Sequence, residues 1–396
     1  MPNVDRHYDA HCHLLNKDYL LRELTSILRR FLRRERGISH EKGIEVSSLL
    51  GRIKEMLRWA NQVIGALEGD EEKQLEFLRM TANNAWKDDL PIRIVPLMMD
   101  IFYMFDSPVY SGQKVEFKKL SHDKVMVSDD EVRLELEAIL QDVGITKEKA
   151  EQIIRDIEQS PDKAAADVSC SYDYSKGFDL HREALADLQS RNVDSIFPFF
   201  AVDPRRKGVV QAVIQGDFVG KGKSFRGVKL YPRLGYHPCC TDLEPLFKWC
   251  NDNRIPIVTH CGPSGFPPFI DSYSDFGAPC SFRKVLEKHA GLIINFAHFG
   301  TFKPCWVNEI IALMDQYENV YSDLACYEDA SDLEKFKEIS WSREKVKDRT
   351  MFGTDYSMMY FFKVASLATY YSNFKKAFSK AELLHMDEVA KQFLND

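Results

Sequence analysis

The chain has 396 residues, of which 44% are hydrophobic and 29% charged, with 20 glycines and 16 prolines. This composition excludes a disordered chain, a collagen-like fibre and a small disulfide-stapled protein. The formal net charge is -7, so no overall positive charge attracts the protein to nucleic acid or to anionic lipid. The balance favours a small molecule as the binding partner, with neither nucleic acid nor membrane involved.

No secretory signal pattern opens the sequence, and no apolar run reaches the roughly 18 residues that a membrane span needs. The nine cysteines contain no CxxC pair, so we expect reduced thiols in a cytoplasmic protein. Most of the cysteines are interpreted as packing residues. The adjacent Cys239 and Cys240 give a weak indication of redox or metal chemistry.

Eight short apolar runs are typical of buried parallel strands, and each ends in a polar or turn residue. They are residues 6–13, 92–98, 195–202, 227–231, 255–260, 292–298, 320–323 and 350–355. Helical patterns separate the later runs, at residues 242–253, 281–289 and 306–317. Strands that alternate with helices indicate βαβ units and a parallel sheet. Eight of them predict an α/β fold of the (β/α)8 TIM-barrel type, and periodicity alone leaves an open doubly wound sheet as the alternative.

The spacing of the strands predicts one domain, residues 1–396, with two helical insertions. The insertions cover about 16–90 and 104–190, after the first and second strands, and account for the length beyond the roughly 250 residues of a plain barrel. Their predicted helices are at residues 19–36, 45–66, 71–86, 128–143 and 146–159. Connections after a strand lie on the C-terminal face of a barrel, where active sites form. We therefore expect the insertions to build a lid or side wall over the site.

His11 and His13 stand two residues apart at the end of the first predicted strand. Side chains alternate across a strand, so both imidazoles point to the same face, which in a barrel is the interior. Two buried titratable rings need a compensating partner such as a divalent metal ion. His260, His298 and Asp355 end later strands, where barrel enzymes carry their catalytic residues. Imidazoles and a carboxylate suit Zn²⁺, Mn²⁺ or Fe²⁺.

Seven stretches of the sequence carry a resemblance to a known family. They are DAHCHLL at 9–15, FFAVDPRR at 199–206, FRGVKLYPRLGYHP at 225–238, PIVTHCG at 256–262, LIINFAHFG at 292–300, NVYSDLA at 319–325 and MFGTDYS at 351–357. In this order they resemble the amidohydrolase superfamily, in particular its Amidohydrolase-2 branch. The resemblance covers the first strand and residues 193–360 and says little about 16–190. Near the end the sequence departs from it, because the family's Gly-Asn-Ala is replaced at residues 386–390.

The resemblance implies a role for each strand-end residue. His11, His13 and His260 would be metal ligands, and Asp355 would be a ligand or the general base. His298 would bind a second metal ion or polarise the substrate. The family therefore implies one or two divalent ions, with zinc as the expected metal and manganese or iron as alternatives.

Lys229, near the end of the fourth strand, has three roles open to it. In binuclear relatives a lysine there carries a carbamate that bridges two metal ions, whereas mononuclear relatives lack the bridge. The alternatives are a cation that binds substrate or balances charge, and a structural side chain. Tyr231, Arg233 and His237 follow the same strand towards the mouth of the barrel and are predicted to bind substrate. Arg233 suits a carboxylate or phosphate, or alternatively a nearby aspartate.

These parts fit the chemistry of hydrolysis. A divalent ion held by imidazoles lowers the pKa of a bound water towards about 7. Asp355 can accept the proton of that water and pass it to a leaving group, while the metal or His298 stabilises the developing oxyanion. The sequence predicts a metal-dependent hydrolase that cleaves an amide, lactone or ester bond of a small molecule.

Three alternatives remain open at this point. A metal-dependent decarboxylase would use the same ligands, with Arg233 holding the departing carboxylate. A nuclease of the same superfamily is disfavoured by the acidic charge. A non-catalytic metal-binding barrel would not need the complete set of candidate ligands. A homodimer is compatible with the sequence, but no residue indicates one.

Several weaker signals are interpreted as structural. His7 is expected at the bottom of the barrel or in a core hydrogen bond, and Asp9 is expected on the inward face with His11. Asp323 ends the seventh strand, where a structural role is favoured over support of a metal ligand. The histidines interpreted as surface residues are His40, His122, His181, His289 and His385.

Overall fold

The computed structural model describes residues 6–15, 69–104 without 89, 109–110, 113–114, 175–263, 265, 273–327, 329–359 and 366–396, with isolated positions between 19 and 27 and between 134 and 155. Its strands are β1 His7–Cys12, β2 Ile92–Pro96, β3 Val109–Tyr110, β4 Gln113–Lys114, β5 Phe199–Ala201, β6 Gly227–Leu230, β7 Ile257–Thr259, β8 Ile294–Phe296, β9 Val320–Asp323 and β10 Thr350–Met351. Its helices are α1 Glu71–Trp86, α2 Lys176–Arg191, α3 Val209–Gln215, α4 Glu244–Asn253, α5 Arg283–Lys288, α6 Pro304–Gln316, α7 Ala330–Phe336, α8 Glu344–Lys347, α9 Leu367–Ala377 and α10 Lys380–Phe393.

Eight of the strands form a closed ring of parallel neighbours. β5 to β10 pair in chain order in one parallel sheet, and β1 pairs with β2 in another. Parallel bridges join the two sheets on both sides, between Ile94 and Ile196 and between Cys12 and Tyr356. The chain is therefore a (β/α)8 barrel as predicted, and the open-sheet alternative is wrong. β3 and β4 form a short antiparallel hairpin outside the ring.

Apolar side chains from seven strand regions fill the lower part of the barrel. The cluster includes Tyr8, Val95, Phe197, Val258, Ile293, Tyr321 and Met351. α10 closes the barrel from below: the ring of Phe393 lies 6.0 Å from that of Phe199 and 5.4 Å from that of Tyr321, between centroids. Burying these rings removes a large apolar area from water. The buried polar side chains of the predicted site lie at the opposite end of the barrel.

A β-bulge in β1 decides which of its side chains reach the upper end of the barrel. Tyr8 and Ala10 belong to the interior cluster, but Cys12 packs in the core between the barrel and its helices. The register against β2 shifts between Asp9 and Cys12, which is where one extra residue reverses the alternation of side chains. The side chain of His11 consequently points into the barrel, above the layer to which Tyr8 and Ala10 belong.

The expectation that Asp9 shares the inward face with His11 is wrong for the same reason. Its carboxylate accepts hydrogen bonds from Thr354 Oγ1 at 2.6 Å, from the Thr354 amide at 3.0 Å and from the His11 amide at 3.3 Å. Burial raises the pKa of Asp9 to about 7 even though these bonds oppose the shift. Asp9 therefore ties β1 to the segment after β10 instead of orienting an imidazole.

One helix predicted in the first insertion is confirmed. The predicted helix at 71–86 is α1, capped by Asp70, whose side chain accepts a hydrogen bond from the Lys73 amide at 3.0 Å. Apart from isolated positions, the helices predicted at 19–36, 45–66, 128–143 and 146–159, and with them the lid hypothesis, lie outside the described residues. Within the described ranges, no helix combines the length and apolar character of a membrane span.

A buried ionic network links the first insertion to the rim of the barrel. The Arg206 guanidinium donates to both oxygens of Asp100, at 2.6 and 2.8 Å, and lies 3.8 Å from Glu23. Glu23 accepts hydrogen bonds from Ser175 Oγ at 3.2 Å and from the Phe178 amide at 3.1 Å. Burial raises the pKa of Glu23 to about 8 although Arg206 opposes the shift. Such a network is costly to break, because each partner left behind is a buried polar group.

Candidate metal centre

The barrel brings four of the predicted metal-binding residues into direct contact. His11 and His13 leave β1, His298 follows β8 and Asp355 follows β10, and all four side chains are buried. His260, directly after β7, joins the group through His298, whose Nε2 lies 3.2 Å from His260 Nδ1. Because the strands are parallel, their C-terminal ends meet at one rim, and residues far apart in the chain converge there.

The carboxylate of Asp355 lies between the two imidazoles of the HxH motif. Asp355 Oδ1 is 3.2 Å from His11 Nε2 and 3.3 Å from His13 Nε2. His13 Nδ1 donates to the Leu97 carbonyl at 2.7 Å, and His11 Nδ1 donates to Asp323 Oδ2 at 3.0 Å. Since a carbonyl and an ionised carboxylate only accept, each Nδ1 carries a proton, and each Nε2 presents a lone pair when its imidazole is neutral, the form that binds a metal ion.

With both imidazoles neutral, the three atoms that meet here are all acceptors. In the described part of the chain, His11 Nε2 and Asp355 Oδ1 are buried without a hydrogen-bond partner. Unpaired buried polar atoms are costly, and converging lone pairs of two nitrogens and a carboxylate oxygen match the donor set of a divalent metal ion. The residues present thus fit the cofactor that the sequence predicts, and His11, His13 and Asp355 form one group whose ligand atoms lie within 4.8 Å of one another.

Asp323 organises this centre from the end of β9. Its carboxylate accepts from His11 Nδ1, from Asn295 Nδ2 at 2.6 Å, from the His298 amide at 3.0 Å and from the Ala325 amide at 3.1 Å. Burial alone would raise the pKa of Asp323, but His11 and the other donors hold it well below its usual range. Asp323 therefore fixes the tautomer and direction of His11 and anchors the turn that presents His298. Sequence reasoning gave Asp323 too little weight, although it satisfies the same strand-end criterion as the predicted ligands.

The ring of His298 is held in a defined orientation. Its Nδ1 donates to the Ala325 carbonyl at 3.3 Å, so its Nε2 also presents a lone pair to the centre. Burial, reinforced by the charge of His11, lowers the pKa of His298 to about 4. The imidazole of His298 is thus neutral near pH 7, as a metal ligand must be.

Three side chains of the centre stand on left-handed backbone. The φ angles are 63° at His298, 66° at Cys326 and 54° at Asp355. For residues other than glycine this conformation costs on the order of 1 kcal/mol each. The surrounding hydrogen bonds hold all three in place, and such strain is concentrated at functional sites.

Opposing electrostatic effects act on the remaining ionisable groups. Burial alone would raise the pKa of Asp355, yet the contacts with His11 and His13 hold it well below its usual range. Burial alone would lower the pKa of His11, but the Asp323 carboxylate raises it overall. Burial lowers the pKa of His13, despite Asp355. The carboxylates of Asp323 and Asp355 therefore attract positive charge to the centre.

Lys229 lies on β6, fully buried, in register with Val258 of β7. Burial lowers the pKa of Lys229 to about 8, although the charges of Asp323 and Asp355 favour the ammonium form. A lysine with a lowered pKa carries a larger uncharged fraction at neutral pH, which is the form that carbamate formation requires. The bridging and charge-balancing roles therefore both remain compatible with its position.

The three predicted substrate-binding residues lie at different distances from the histidines of the centre. The ring of Tyr231 packs on His260 with centroids 4.3 Å apart. Arg233, only 1% exposed, donates from Nη1 to the Gly265 carbonyl at 3.3 Å. His237 is half-buried nearer the rim, where its ring contacts Phe276, with 5.3 Å between centroids. Burial lowers the pKa of His237 to about 4.

Gly265 brings the loop after β7 close to the centre. Its φ is 146°, and a Cβ at this position would lie 2.6 Å from Tyr231 Oη and 2.8 Å from His260 Nε2. Only glycine allows the backbone to approach these groups so closely. The carbonyl that Arg233 binds thus belongs to a residue lying directly over Tyr231 and His260.

Sequence reasoning also missed Cys326. Its thiol, three residues beyond Asp323, donates to Asp355 Oδ2 at 2.7 Å. The adjacent Cys239 and Cys240, singled out in the sequence, lie elsewhere: the Cys239 thiol donates to the Ser281 carbonyl at 3.5 Å, and Cys240 belongs to the apolar core. Its position in the sequence, three residues after the strand-end Asp323, was the signal that could have identified Cys326.

The predictions for the other histidines are partly wrong. His181 and His289 are buried, not on the surface. His181 Nε2 donates to the Leu14 carbonyl at 3.0 Å, just after the HxH motif. His7 lies in the expected core hydrogen bonds, 2.8 Å from both Asp387 and Asp88. His385 is partly exposed, and His40 and His122 lie outside the described residues.

Solved structures similar to this chain include an uncharacterised TIM-barrel protein from Bordetella bronchiseptica, with 19% identity over 54% of this chain and 72% of that one and a TM-score of 0.40. They also include a 2,6-dihydroxybenzoate decarboxylase from Rhizobium, with 14% identity over 56% and 78% and a TM-score of 0.41. A probable 2-pyrone-4,6-dicarboxylic acid hydrolase from Acinetobacter baumannii has 12% identity over 54% and 79%, with a TM-score of 0.41.

No curated protein matches the sequence. The amidohydrolase family, Amidohydro_2, matches residues 171–379, which is just over half of the 396 residues. The matched segment contains Lys229, His260, His298 and Asp355, four of the residues found at the C-terminal rim of the barrel. The chain therefore belongs to the amidohydrolase family.

Proposed function

We propose that the protein is a metal-dependent hydrolase that cleaves an amide, lactone or ester bond of a small molecule. The observation that carries the proposal is the meeting of three buried acceptors, with Asp355 Oδ1 at 3.2 and 3.3 Å from the Nε2 atoms of His11 and His13. Their lone pairs repel one another unless a cation lies among them.

His11, His13 and Asp355 would hold this ion, with His260 and His298 beside them. Zinc suits the mixture of imidazole and carboxylate donors, and manganese or iron are the alternatives. Bound there, a divalent ion would supply a water acidified towards a pKa of about 7. Because His298 Nδ1 is bound to the Ala325 carbonyl, its Nε2 lone pair favours metal ligation over donation to the substrate.

Asp355 is the residue proposed to move the proton. Its carboxylate is ionised at neutral pH, so it can accept a proton from the attacking water and return it to the leaving nitrogen or oxygen. Asp323 holds His11 in the orientation this requires, and the apolar layer below excludes water from the underside of the centre.

Arg233 and Tyr231 are proposed to select the substrate. The guanidinium of Arg233 is buried and lies next to the loop that covers His260. A guanidinium can bind a substrate carboxylate through two parallel N–H donors. The ring of Tyr231 on His260 adds an apolar wall for a flat substrate, and His237 lies at the rim.

The buried Arg233 also favours a second candidate, a metal-dependent decarboxylase. In that reaction the guanidinium would hold the carboxylate that leaves as carbon dioxide. The two candidates differ in product: hydrolysis releases an acid together with an amine or alcohol, whereas decarboxylation releases carbon dioxide.

The test is a panel of carboxylated amides, lactones and aromatic acids, scored for both kinds of product. We expect acid release that Asp355→Asn lowers by at least 10²-fold, while Asp348→Asn, at the surface beside His385, leaves it unchanged. Release of carbon dioxide without acid release would replace the hydrolase with the decarboxylase. Equal turnover by the wild type and Asp355→Asn would contradict both.

A further inference from the structure

A cavity of about 280 Å³ lies at the end of the barrel opposite the metal centre. It is formed where the chain enters β5 and β6, beside the residues that follow α10. Its walls are of two kinds, apolar side chains from the segment before β5 and cationic side chains from the segment before β6. The apolar ones include Ile196, Phe197 and Pro198, and the cationic ones are Lys221, Lys223 and Arg226.

Arg226 is the buried cation of this cavity. Only 8% of its surface is exposed, and its backbone amide donates to the Pro198 carbonyl at 2.7 Å. Its guanidinium lies over the ring of Phe197, with 4.8 Å between Cζ and the ring centroid. In the described part of the chain, the Nη1 atom of Arg226 is buried without a hydrogen-bond partner. Because a buried N–H group that binds no acceptor is costly, this donor indicates a ligand that carries an acceptor.

The carboxylates that border the cavity are engaged elsewhere. Asp396 accepts a hydrogen bond from Tyr8 Oη at 2.7 Å and forms an ion pair with Arg93. Asp194 lies at the exposed edge, where water and salt screen its charge. The Arg93 guanidinium lies 5.4 Å from the centroid of the same ring that Arg226 covers. Burial and the like charge of Arg93 both lower the pKa of Arg226, so an anion beside Arg226 would relieve an unfavourable arrangement.

Two lysines continue the cationic wall towards solvent. Lys221 Nζ donates to the Asn395 carbonyl at 2.7 Å, and Lys223 Nζ pairs with Asp217 at 2.6 Å on the surface. A carbonyl does not neutralise an ammonium group, and an exposed ion pair is weak. Gly222 separates the lysines with a φ of 75°, and a Cβ there would meet no atom within 4 Å. The turn that carries both lysines therefore borders open space.

We propose that this cavity binds the phosphate group of a small phosphorylated molecule. A phosphate carries nearly two negative charges at neutral pH and three acceptor oxygens, which suit one guanidinium and two ammonium groups. Arg226 would donate at the buried end, and Lys221 and Lys223 would donate nearer the mouth. Phe197 and Pro198 would contact the organic part of the ligand. The site is independent of the proposed function, because it shares no residue with the metal centre.

Phenylphosphonate and benzoate are the probes, since they carry the same ring and differ in their anionic group. Their binding to the purified protein is measured by calorimetry at constant ionic strength, for the wild type, Arg226→Met, Lys223→Ala and Arg349→Met. Arg349 is the matched control: it directly precedes β10 as Arg226 precedes β6. The Arg349 guanidinium also lies over a ring, that of Tyr321, but it donates to the Tyr317 carbonyl at 3.0 Å.

We expect phenylphosphonate to bind the wild type and Arg349→Met equally, with a dissociation constant below about 1 mM. Binding should be at least tenfold weaker in Arg226→Met and about threefold weaker in Lys223→Ala. Equal affinity in the wild type and Arg226→Met, or no binding at millimolar concentration, would overturn the proposal. Benzoate that binds as tightly as phenylphosphonate would overturn the assignment to phosphate.

A second measurement uses the wild type alone and does not depend on how a variant folds. Amide hydrogen exchange, followed by mass spectrometry, shows where phenylphosphonate protects the backbone. We expect slower exchange in residues 193–198 and 219–226, and unchanged exchange in the segments that carry His260 and His298. Protection confined to those two segments would place the probe at the metal centre and overturn the proposal.

Discussion

Replacing Asp323 with asparagine tests how the centre sets the state of His11. Asp323 Oδ2 now accepts from both His11 Nδ1 and Asn295 Nδ2, while Oδ1 accepts from the His298 and Ala325 amides. In Asp323→Asn the new amide keeps its carbonyl towards those two backbone donors. Its NH2 group then faces His11 Nδ1, so the imidazole must change tautomer and place its proton on Nε2.

The magnitude follows from the loss of that ligand atom. A protonated Nε2 cannot bind a metal ion, and changes to groups that orient ligands cost 10–100-fold in metal affinity, or about 1.4–2.7 kcal/mol. The structure offers a matched control at the other end of the barrel. Asp387 contacts His7 at 2.8 Å and also accepts from the Tyr8 amide at 2.8 Å, so Asp387→Asn removes a similar buried pair far from the centre.

The assay is competition for zinc with a chelator of known affinity, together with thermal unfolding of the metal-depleted proteins. We expect Asp323→Asn to bind zinc 10–100-fold more weakly and Asp387→Asn to bind it as the wild type does. Both variants are expected to unfold at lower temperature. Wild-type zinc affinity in Asp323→Asn, or an equal loss in both variants, would refute the assignment of Asp323 as the residue that orients His11.

Three further predictions concern stability and access to the centre. Burial lowers the pKa of His181 to about 3 in the folded protein, from the ordinary value of 6.5. As the pH falls from 6.5 to 3, the unfolded chain therefore binds the proton first. The free energy of unfolding then falls by up to about 1.4 kcal/mol for each pH unit. His181→Gln should flatten this part of the unfolding curve, and an unchanged slope would contradict the account. Arg206→Met leaves the buried Asp100 carboxylate without its ion-pair partner, and we expect the free energy of unfolding in urea to fall by about 3–5 kcal/mol. Arg191→Met, at the exposed surface, should lower it by less than about 1 kcal/mol. Equal losses in the two variants would refute the role of the buried network. Gly265→Ala places a methyl group against the Tyr231 hydroxyl and the His260 imidazole. Turnover of the best substrate should therefore fall at least tenfold, with little change in melting temperature. Unaltered turnover would show that the loop after β7 does not cover the centre.

Much of the fold could be read from the sequence because parallel barrel strands are buried on both sides and appear as short apolar runs. The strand-end rule likewise located His260, His298 and Asp355 at one rim. It works because the geometry of the barrel, rather than any local contact, brings the C-terminal ends of the strands together.

The remaining features depend on contacts that no periodicity records. A strict period of two placed Asp9 on the inward face, whereas the bulge in β1 reverses the alternation. Asp323 ends β9, and Cys326 takes its place from the turn that follows, where its own backbone is left-handed and the Ala325 amide is bound to Asp323. His181 looked exposed on a polar helix, but it is buried because it caps the carbonyl that follows the HxH motif.

The central claim is that His11 helps to bind a catalytic metal ion. Elemental analysis of protein purified without added metal or chelator tests it directly, with His11→Ala and the partly exposed control His385→Ala measured alongside. We expect about one or two equivalents of transition metal in the wild type and the control, and a loss of metal in His11→Ala. A wild type that stays metal-free after incubation with Zn²⁺ and Mn²⁺, or a His11→Ala protein that retains its full metal content, would contradict it.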